Sequence, residues 1–167
     1  MKAILLVDHG SRKREANDML ACMANLVQAM AGPDVIVRHG HMELADPTIA
    51  AGIDDCVLAG ATDVTVFPYM LSPGRHSTSD IPKMVSDAAR NHPSVSCTTV
   101  AAFGVHEKLA EVVLLRAGIP VDPHFLDVDP NRCWDPACSG QLCGDGCRAR
   151  DVEPLVVSGT ERNIDQD

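Results

Sequence analysis

The sequence predicts an α/β domain in which a four-stranded parallel sheet carries helices on both faces. Two observations predict it. Short apolar runs of strand length alternate strictly with longer segments whose apolar residues recur every three or four positions, giving β-α-β-α-β-α-β-α within about the first 118 residues. The first run is continuous rather than alternating, which is the mark of a strand buried on both faces. The chain has 167 residues, enough for one such domain with a real core and short for two.

Residues 3–7 (AILLV) form that first strand, bounded by Asp8-His9-Gly10-Ser11. From Arg12 the period changes: Ala16, Met19, Leu20, Met23, Leu26, Val27 and Met30 describe an amphipathic helix of about five turns, ended by Gly32-Pro33. Residues 35–37 open a second strand that runs on through Arg38-His39-Gly40-His41-Met42. Asp46 then reads as an N-cap with Pro47 at the first helical position, Ile49, Ile53 and Val57 as one face, and Gly60 as the stop. Residues 62–67 are the third strand. The chain breaks at Pro68, loops through Ser72-Pro73-Gly74, presents Arg75 and His76, and offers Ser77, Thr78, Ser79 and Asp80 as N-cap candidates. The helix that follows carries Ile81, Met84, Val85 and Ala88, and His92-Pro93 stops it. Residues 95–100 are the fourth strand and residues 105–117 the fourth helix, with Leu109, Val112 and Val113 expected inward and Gly118 as its end.

Beyond Gly118 the character changes. Pro120, Pro123, Pro130, Pro136 and Pro154 punctuate the chain and no useful period survives. The expected organisation is an α/β domain over 1–118, a cysteine-rich extension over 119–150 and a polar, partly disordered tail over 151–167, with short strands at Phe125-Leu126 and residues 155–157.

Composition excludes several classes. A net charge of -9 argues against nucleic acid or an anionic membrane surface, and 3% aromatic content argues against base-stacking platforms. No apolar run approaches the length of a membrane span, and the apolar stretch after Met1-Lys2 is too short for a signal peptide, so a cytoplasmic protein is expected. An acidic protein can still bind an anionic small molecule where its cations gather, as Arg12, Lys13 and Arg14 do, with Arg75 a further contributor.

The chemistry-bearing residues collect at strand ends. His9 and His76 each follow a predicted parallel strand and precede a helix, so both imidazoles are expected at one edge of the sheet, where they can bind a divalent first-row metal or share metal binding and proton transfer. The plainer alternative is that each caps a helix or bonds a loop carbonyl. His39, His41 and Glu43 alternate on the second strand; Glu43 lies at its carboxyl end and can join the crevice, whereas His39 lies deeper and reads as structural. His106 opens the fourth helix at the same edge, as a packing residue or a pocket wall. Ser11 and Ser72 stand in glycine-containing turns that can hold a carboxylate or phosphate on backbone N–H groups. Neither turn has a dinucleotide or P-loop spacing, and there is no nucleophile elbow.

Cys22, Cys56 and Cys97 are scattered through apolar contexts and read as small core residues. Cys133, Cys138, Cys143 and Cys147 crowd into fifteen residues, which calls for a metal centre: an iron–sulfur cluster ahead of Zn, whose sites favour closer pairs, with disulfides third.

LLVDHGSR with His9, ELADPTI with Glu43, VFPYMLSPGRHSTSDIP with His76, and AFGVHEKLAEVVLLRAG together resemble the class II chelatases, and within them the small sirohydrochlorin cobalto- and ferrochelatases. The likeness runs from Met1 to about Gly118. It implies a flavodoxin-like three-layer fold, a homodimer, and insertion of Co2+ or Fe2+ into sirohydrochlorin for cobalamin or sirohaem. It also implies that His9 and His76 handle the metal and accept pyrrole protons, helped by Glu43. Ser11, Arg12, Lys13, Arg14, Ser72, Arg75 and Ser77 would then hold the carboxylate rim of the substrate. The cysteine-rich extension is similar to cluster-bearing members said to carry a [2Fe-2S] centre. Two other functions fit an α/β fold of this kind: a flavodoxin-like electron carrier, which requires bound flavin, and a non-catalytic tetrapyrrole or metal carrier, which binds without turnover.

Overall fold

The computed structural model describes residues 1–127. The clustered Cys133, Cys138, Cys143 and Cys147, the strand expected at 155–157 and the polar tail lie outside the described residues. Four strands, β1 (Lys2–Asp8), β2 (Val35–His41), β3 (Asp63–Pro68) and β4 (Ser96–Thr99), form one parallel sheet in the order β2-β1-β3-β4. Helices α1 (Arg14–Ala31), α2 (Ile49–Leu58), α3 (Ile81–Ala89) and α4 (Glu107–Ala117) alternate with them, as the change of period along the sequence predicts.

The continuous apolar run of β1 has its physical reason in this order. β1 pairs with β2 on one side and β3 on the other, so both of its faces need cover. Ala3, Leu5 and Val7 point to one face, where they pack with Val64, Val66, Ile49, Ile53, Cys56, Ile81 and Val85 under α2 and α3. Leu6 points to the other, with Val37 and with Leu20 and Ala24 of α1. Leu5, Ile53 and Ile81 are fully buried, and each such side chain contributes about 1.5–3 kcal/mol relative to exposure. Where α2 crosses the sheet it does so on Gly52, whose added Cβ would meet Leu5 Cδ1 at 2.6 Å and the His39 carbonyl oxygen at 3.2 Å.

Several local expectations change. α2 is capped by Thr48, whose side chain accepts from Ala51 N, and not by Asp46; Pro47 lies before the helix in a cis peptide, and its carbonyl accepts from His41 N. α1 begins at Arg14, since Ser11 and Lys13 are held in a turn ahead of it. Phe125 and Leu126 belong to a short 3-10 helix, Pro123–Asp127, rather than a strand. α4 buries none of its residues: Val112 and Val113, expected inward, are exposed. The helical period was real, but an amphipathic pattern does not say which surface its apolar face will meet. No helix among the described residues is long and apolar enough to cross a membrane.

The three scattered cysteines also divide. Cys56 is fully buried in α2 and Cys97 half-buried in β4, but Cys22 is exposed on α1. Burial pushes the Cys56 thiol up to about 11 and raises Cys97 as well. Thiolate is the reactive form. Alkylation of the native protein with iodoacetamide in mildly alkaline buffer, read by peptide mass mapping, is therefore expected to modify Cys22 and spare Cys56 until denaturant is added. Equal labelling of the two in the native state would contradict this packing.

Candidate functional site

β1 and β3 lie side by side at the centre of the sheet, but the chain leaving β1 continues to β2 on one side and the chain leaving β3 continues to β4 on the other. Loops that diverge from neighbouring parallel strands open a crevice at the carboxyl edge, where ligands of open α/β sheets bind. His9 stands one residue beyond β1, and His76 follows the loop after β3. Their rings meet edge-on with centroids 5.2 Å apart and an interplanar angle of 61°. Both are about half-exposed, at 43% and 49% of the side chain.

Glu43 joins them from the exit of β2, with Oε1 3.6 Å from His9 Nε2. The pairing of β1 and β2 carries it there, because the ladder continues past both strands: Met42 N donates to the Asp8 carbonyl at 2.8 Å and Glu43 N to the His9 carbonyl at 3.1 Å. On the other side of the His9 ring, Nδ1 lies 3.4 Å from the Gly10 carbonyl. A neutral imidazole that donates from Nδ1 keeps its lone pair on Nε2. That lone pair and the Glu43 carboxylate are then two facing acceptors, with room between them for a proton or a metal ion.

His76 opens a π-turn, His76–Asp80, that runs straight into α3, with Ile81 N donating to the His76 carbonyl. The turn is shaped by the Gly74 carbonyl, which accepts from Thr78 N at 2.9 Å, Thr78 Oγ1 at 2.9 Å and Ser77 Oγ at 3.1 Å. Its width brings Asp80 back under the loop. One carboxylate oxygen lies 2.9 Å from His76 Nδ1 and the other 3.5 Å from Arg75 Nε. The carboxylate thus sets the His76 tautomer, leaving Nε2 as its free donor atom.

His9, His76 and Glu43 come together as the sequence suggests, and Arg75 is tied to them through Asp80. Ser77 does not face the crevice: it is buried, and its hydroxyl is used on both the N–H and the carbonyl of Gly74. Ser11 Oγ accepts from Lys13 N, and Asn17 clamps the Ser11 backbone from both sides, so Arg12, Lys13 and Arg14 project from a braced turn. All three are exposed, as is Ser72. His106 caps α4, accepting from Lys108 N. His39 is held below its usual range, chiefly by burial and then by His41 beside it.

Asp80, expected only as an N-cap candidate, makes no side-chain cap bond and is turned to His76 and Arg75 instead, and neither Asn17 nor an aromatic trio is signalled by the sequence. The spacing of four between His76 and Asp80 is a usable signal; the trio has none, since Phe103 comes from beyond β4 and meets Phe67 and Tyr69, at the end of β3, with centroids 4.9 Å from each. Among the described residues no group of three or more His, Cys, Asp or Glu side chains is close enough to enclose a metal ion. His9, His76 and Glu43 are therefore neighbours at one edge and not a closed three-ligand set.

The model of the CbiX family, described simply as CbiX, matches residues 3–118. Over 110 residues the chain is 43% identical to the chloroplastic sirohydrochlorin ferrochelatase of Arabidopsis thaliana, covering 66% of this chain and 48% of that one. It is 36% identical over 118 residues to the sirohydrochlorin cobaltochelatase of Priestia megaterium, covering 70% and 37%. Among solved structures, the sirohydrochlorin chelatase SirB from Bacillus subtilis subspecies spizizenii in complex with cobalt superposes with a TM-score of 0.64 at 32% identity, over 70% of this chain and 50% of that one. The chain spans half or less of the length of these relatives.

The tightest point of the site is Gly10, at φ +81, where an added Cβ would lie 2.2 Å from the Glu43 carbonyl oxygen and 3.1 Å from His41 Cβ. Gly10→Ala is expected to lower stability by about 1–3 kcal/mol, from a left-handed backbone and a backbone clash together. Urea denaturation measures it, and an unchanged midpoint would show that the β1 and β2 exits are not held this closely.

Proposed function

This chain belongs to the CbiX family, and from that premise we propose that it is a sirohydrochlorin chelatase, a lyase-type enzyme that inserts Co2+ or Fe2+ into the macrocycle. The observation that carries the proposal is the edge-on His9–His76 pair at the point where the strand order reverses. Relatives that align over this same unit are named for that reaction with iron and with cobalt.

In this reading the incoming ion is a substrate. His9 and His76 bind it through Nε2, and the open coordination that remains is what lets the macrocycle nitrogens take it over. Insertion of a divalent ion releases two pyrrole protons. As the ion passes to the macrocycle, the Nε2 lone pairs of His9 and His76 are freed to accept the two protons, with Glu43, 3.6 Å from His9 Nε2, helping to remove them so that charge does not build up. Asp80 holds His76 in the tautomer that leaves Nε2 free. Sirohydrochlorin is a polycarboxylate, and Arg75 with Arg12, Lys13 and Arg14 supplies cations at the crevice of an otherwise acidic protein. Ser11 and Ser72 add turn hydroxyls; the buried Ser77 serves only to shape the loop. A homodimer is part of the proposal, supported by the half-exposed imidazoles and by the apolar side chains that α4 leaves at the surface.

His9→Ala and His76→Ala are each expected to lower kcat for insertion by about 100-fold or more, with the far-ultraviolet circular dichroism spectrum unchanged. The assay is the change in sirohydrochlorin absorbance on adding Co2+, Fe2+ or Ni2+. Near-normal insertion by either variant would sink the assignment. Sirohydrochlorin binding with no metal-dependent change in the wild type would point to a carrier, and flavin absorbance in the purified protein to an electron-transfer role.

The same proposal gives Cys133, Cys138, Cys143 and Cys147 an iron–sulfur cluster, [2Fe-2S] in type. The donor set fits: four thiols within fifteen residues match the usual all-thiolate ligation of such a centre. A bound cluster would supply one-electron chemistry, and it goes with the reducing cytoplasm in which these thiols stay unpaired. Anaerobically purified protein is expected to show visible absorbance with matching iron and sulfide content, both lost in Cys138→Ser and Cys143→Ser. Stoichiometric zinc in place of iron would reassign the centre.

A further inference from the structure

We propose that His41, acting through Asp8, is a positioning residue for the His9–Glu43 pair; this rests on the chelatase reading for its effect on turnover but not for its effect on geometry. His41 is 1% exposed and is the only imidazole fully buried among the described residues. An aliphatic side chain would fill the same space without the cost of burying a polar ring, so the ring calls for a polar reason. The reason is Asp8. His41 Nδ1 lies 2.5 Å from Asp8 Oδ1, and the same oxygen accepts from Gly10 N at 2.8 Å.

One carboxylate oxygen therefore ties the end of β2 to the turn that carries His9. The backbone on either side completes the tie. The Asp8 carbonyl accepts from Met42 N, the His9 carbonyl accepts from Glu43 N, and His41 N donates to the Pro47 carbonyl, which fixes where the chain goes after Glu43. Asp8 and His41 are direct partners in the parallel register, so the side-chain bond is made at the last rung before the crevice. Beyond that rung, the His9 and Glu43 side chains are half-exposed and approach only to 3.6 Å. The Asp8–His41 bond is the side-chain tie between the β1 and β2 exits, added to the backbone bonds from Met42 N and Glu43 N and the tight fit at Gly10.

The experiment compares His41→Leu, which keeps the volume and removes the donor, with His41→Asn, whose amide nitrogen can stand near the place of Nδ1. Two readouts are taken on the full-length protein: the kcat and KM for metal insertion, and amide hydrogen exchange of Gly10 and Glu43 by NMR. Expected are a kcat lower by about 10-fold or more in His41→Leu with KM for sirohydrochlorin little changed, faster exchange at both amides, and recovery of most of each effect in His41→Asn. Should His41→Leu fail to fold, Asp8→Asn carries the same expectations, because an amide there can still accept from Gly10 N while its bond to His41 is weakened. Folded His41→Leu, or in its place Asp8→Asn, with wild-type kcat and wild-type protection at Gly10 and Glu43 would overturn the proposal. If the wild type inserts no metal, the chelatase reading fails, and the exchange data alone decide whether His41 positions the site.

Discussion

The parallel pairing of β1 with both β2 and β3 is the constraint on which the rest of the structure depends. Its register brings Asp8 opposite His41 and Val7 opposite Pro68, so three strands end at the same height. Every group of the site is measured from that level: His9 one residue past β1, Glu43 two residues past β2, and Arg75 and His76 on the loop that leaves β3. A slip of one residue in a parallel ladder would exchange the two faces of a strand. Here it would also expose the β1 residues that fill the cores on both sides, and the apolar cost of that error protects the placement of the polar groups at the edge.

The polar groups are held by a repeated device, a carboxylate against an imidazole, used with three degrees of burial. Asp8–His41 is inside, Asp80–His76 half-exposed, and Glu43–His9 the most open and the longest of the three at 3.6 Å. This gradient suits the proposed chemistry. The innermost pair, with His41 buried and Asp8 mostly so, is the least open to solvent and serves geometry, the middle pair sets a tautomer, and the outermost is loose enough for a proton or an ion to pass between its members. Surface pairs such as Arg14–Asp18, which contribute little to stability, carry no such role.

Much of the fold was legible in the residues because its signals are local. The continuous run of β1, the three-and-four periods of α1 to α3, and the stops at Gly32 and Gly118 each depend on near neighbours along the chain. The departures from local expectation have a common origin. Asp46-Pro47 carries a fair helix-start signal, but the Pro47 carbonyl is taken by His41, and the cap passes to Thr48. Ser77 has the right type for a ligand contact, yet the Gly74 backbone claims its hydroxyl. Val112 and Val113 have the right spacing for a core face, and the described structure leaves them outside. In each case the residue's type is a local property and its partner is not.

What the sequence by itself determined was the alternation of strands and helices and the placing of His9, Glu43 and His76 at strand exits, because periodicity and chain order are properties of neighbouring residues. What only the tertiary structure decided was which of those exits adjoin, that the two imidazoles meet edge-on, that Asp80 bonds His76, and that Asp8 bonds both His41 and the Gly10 N–H. Such contacts join residues as far apart as His9 and His76, and their existence follows from strand order and register, which no local stretch of the chain encodes.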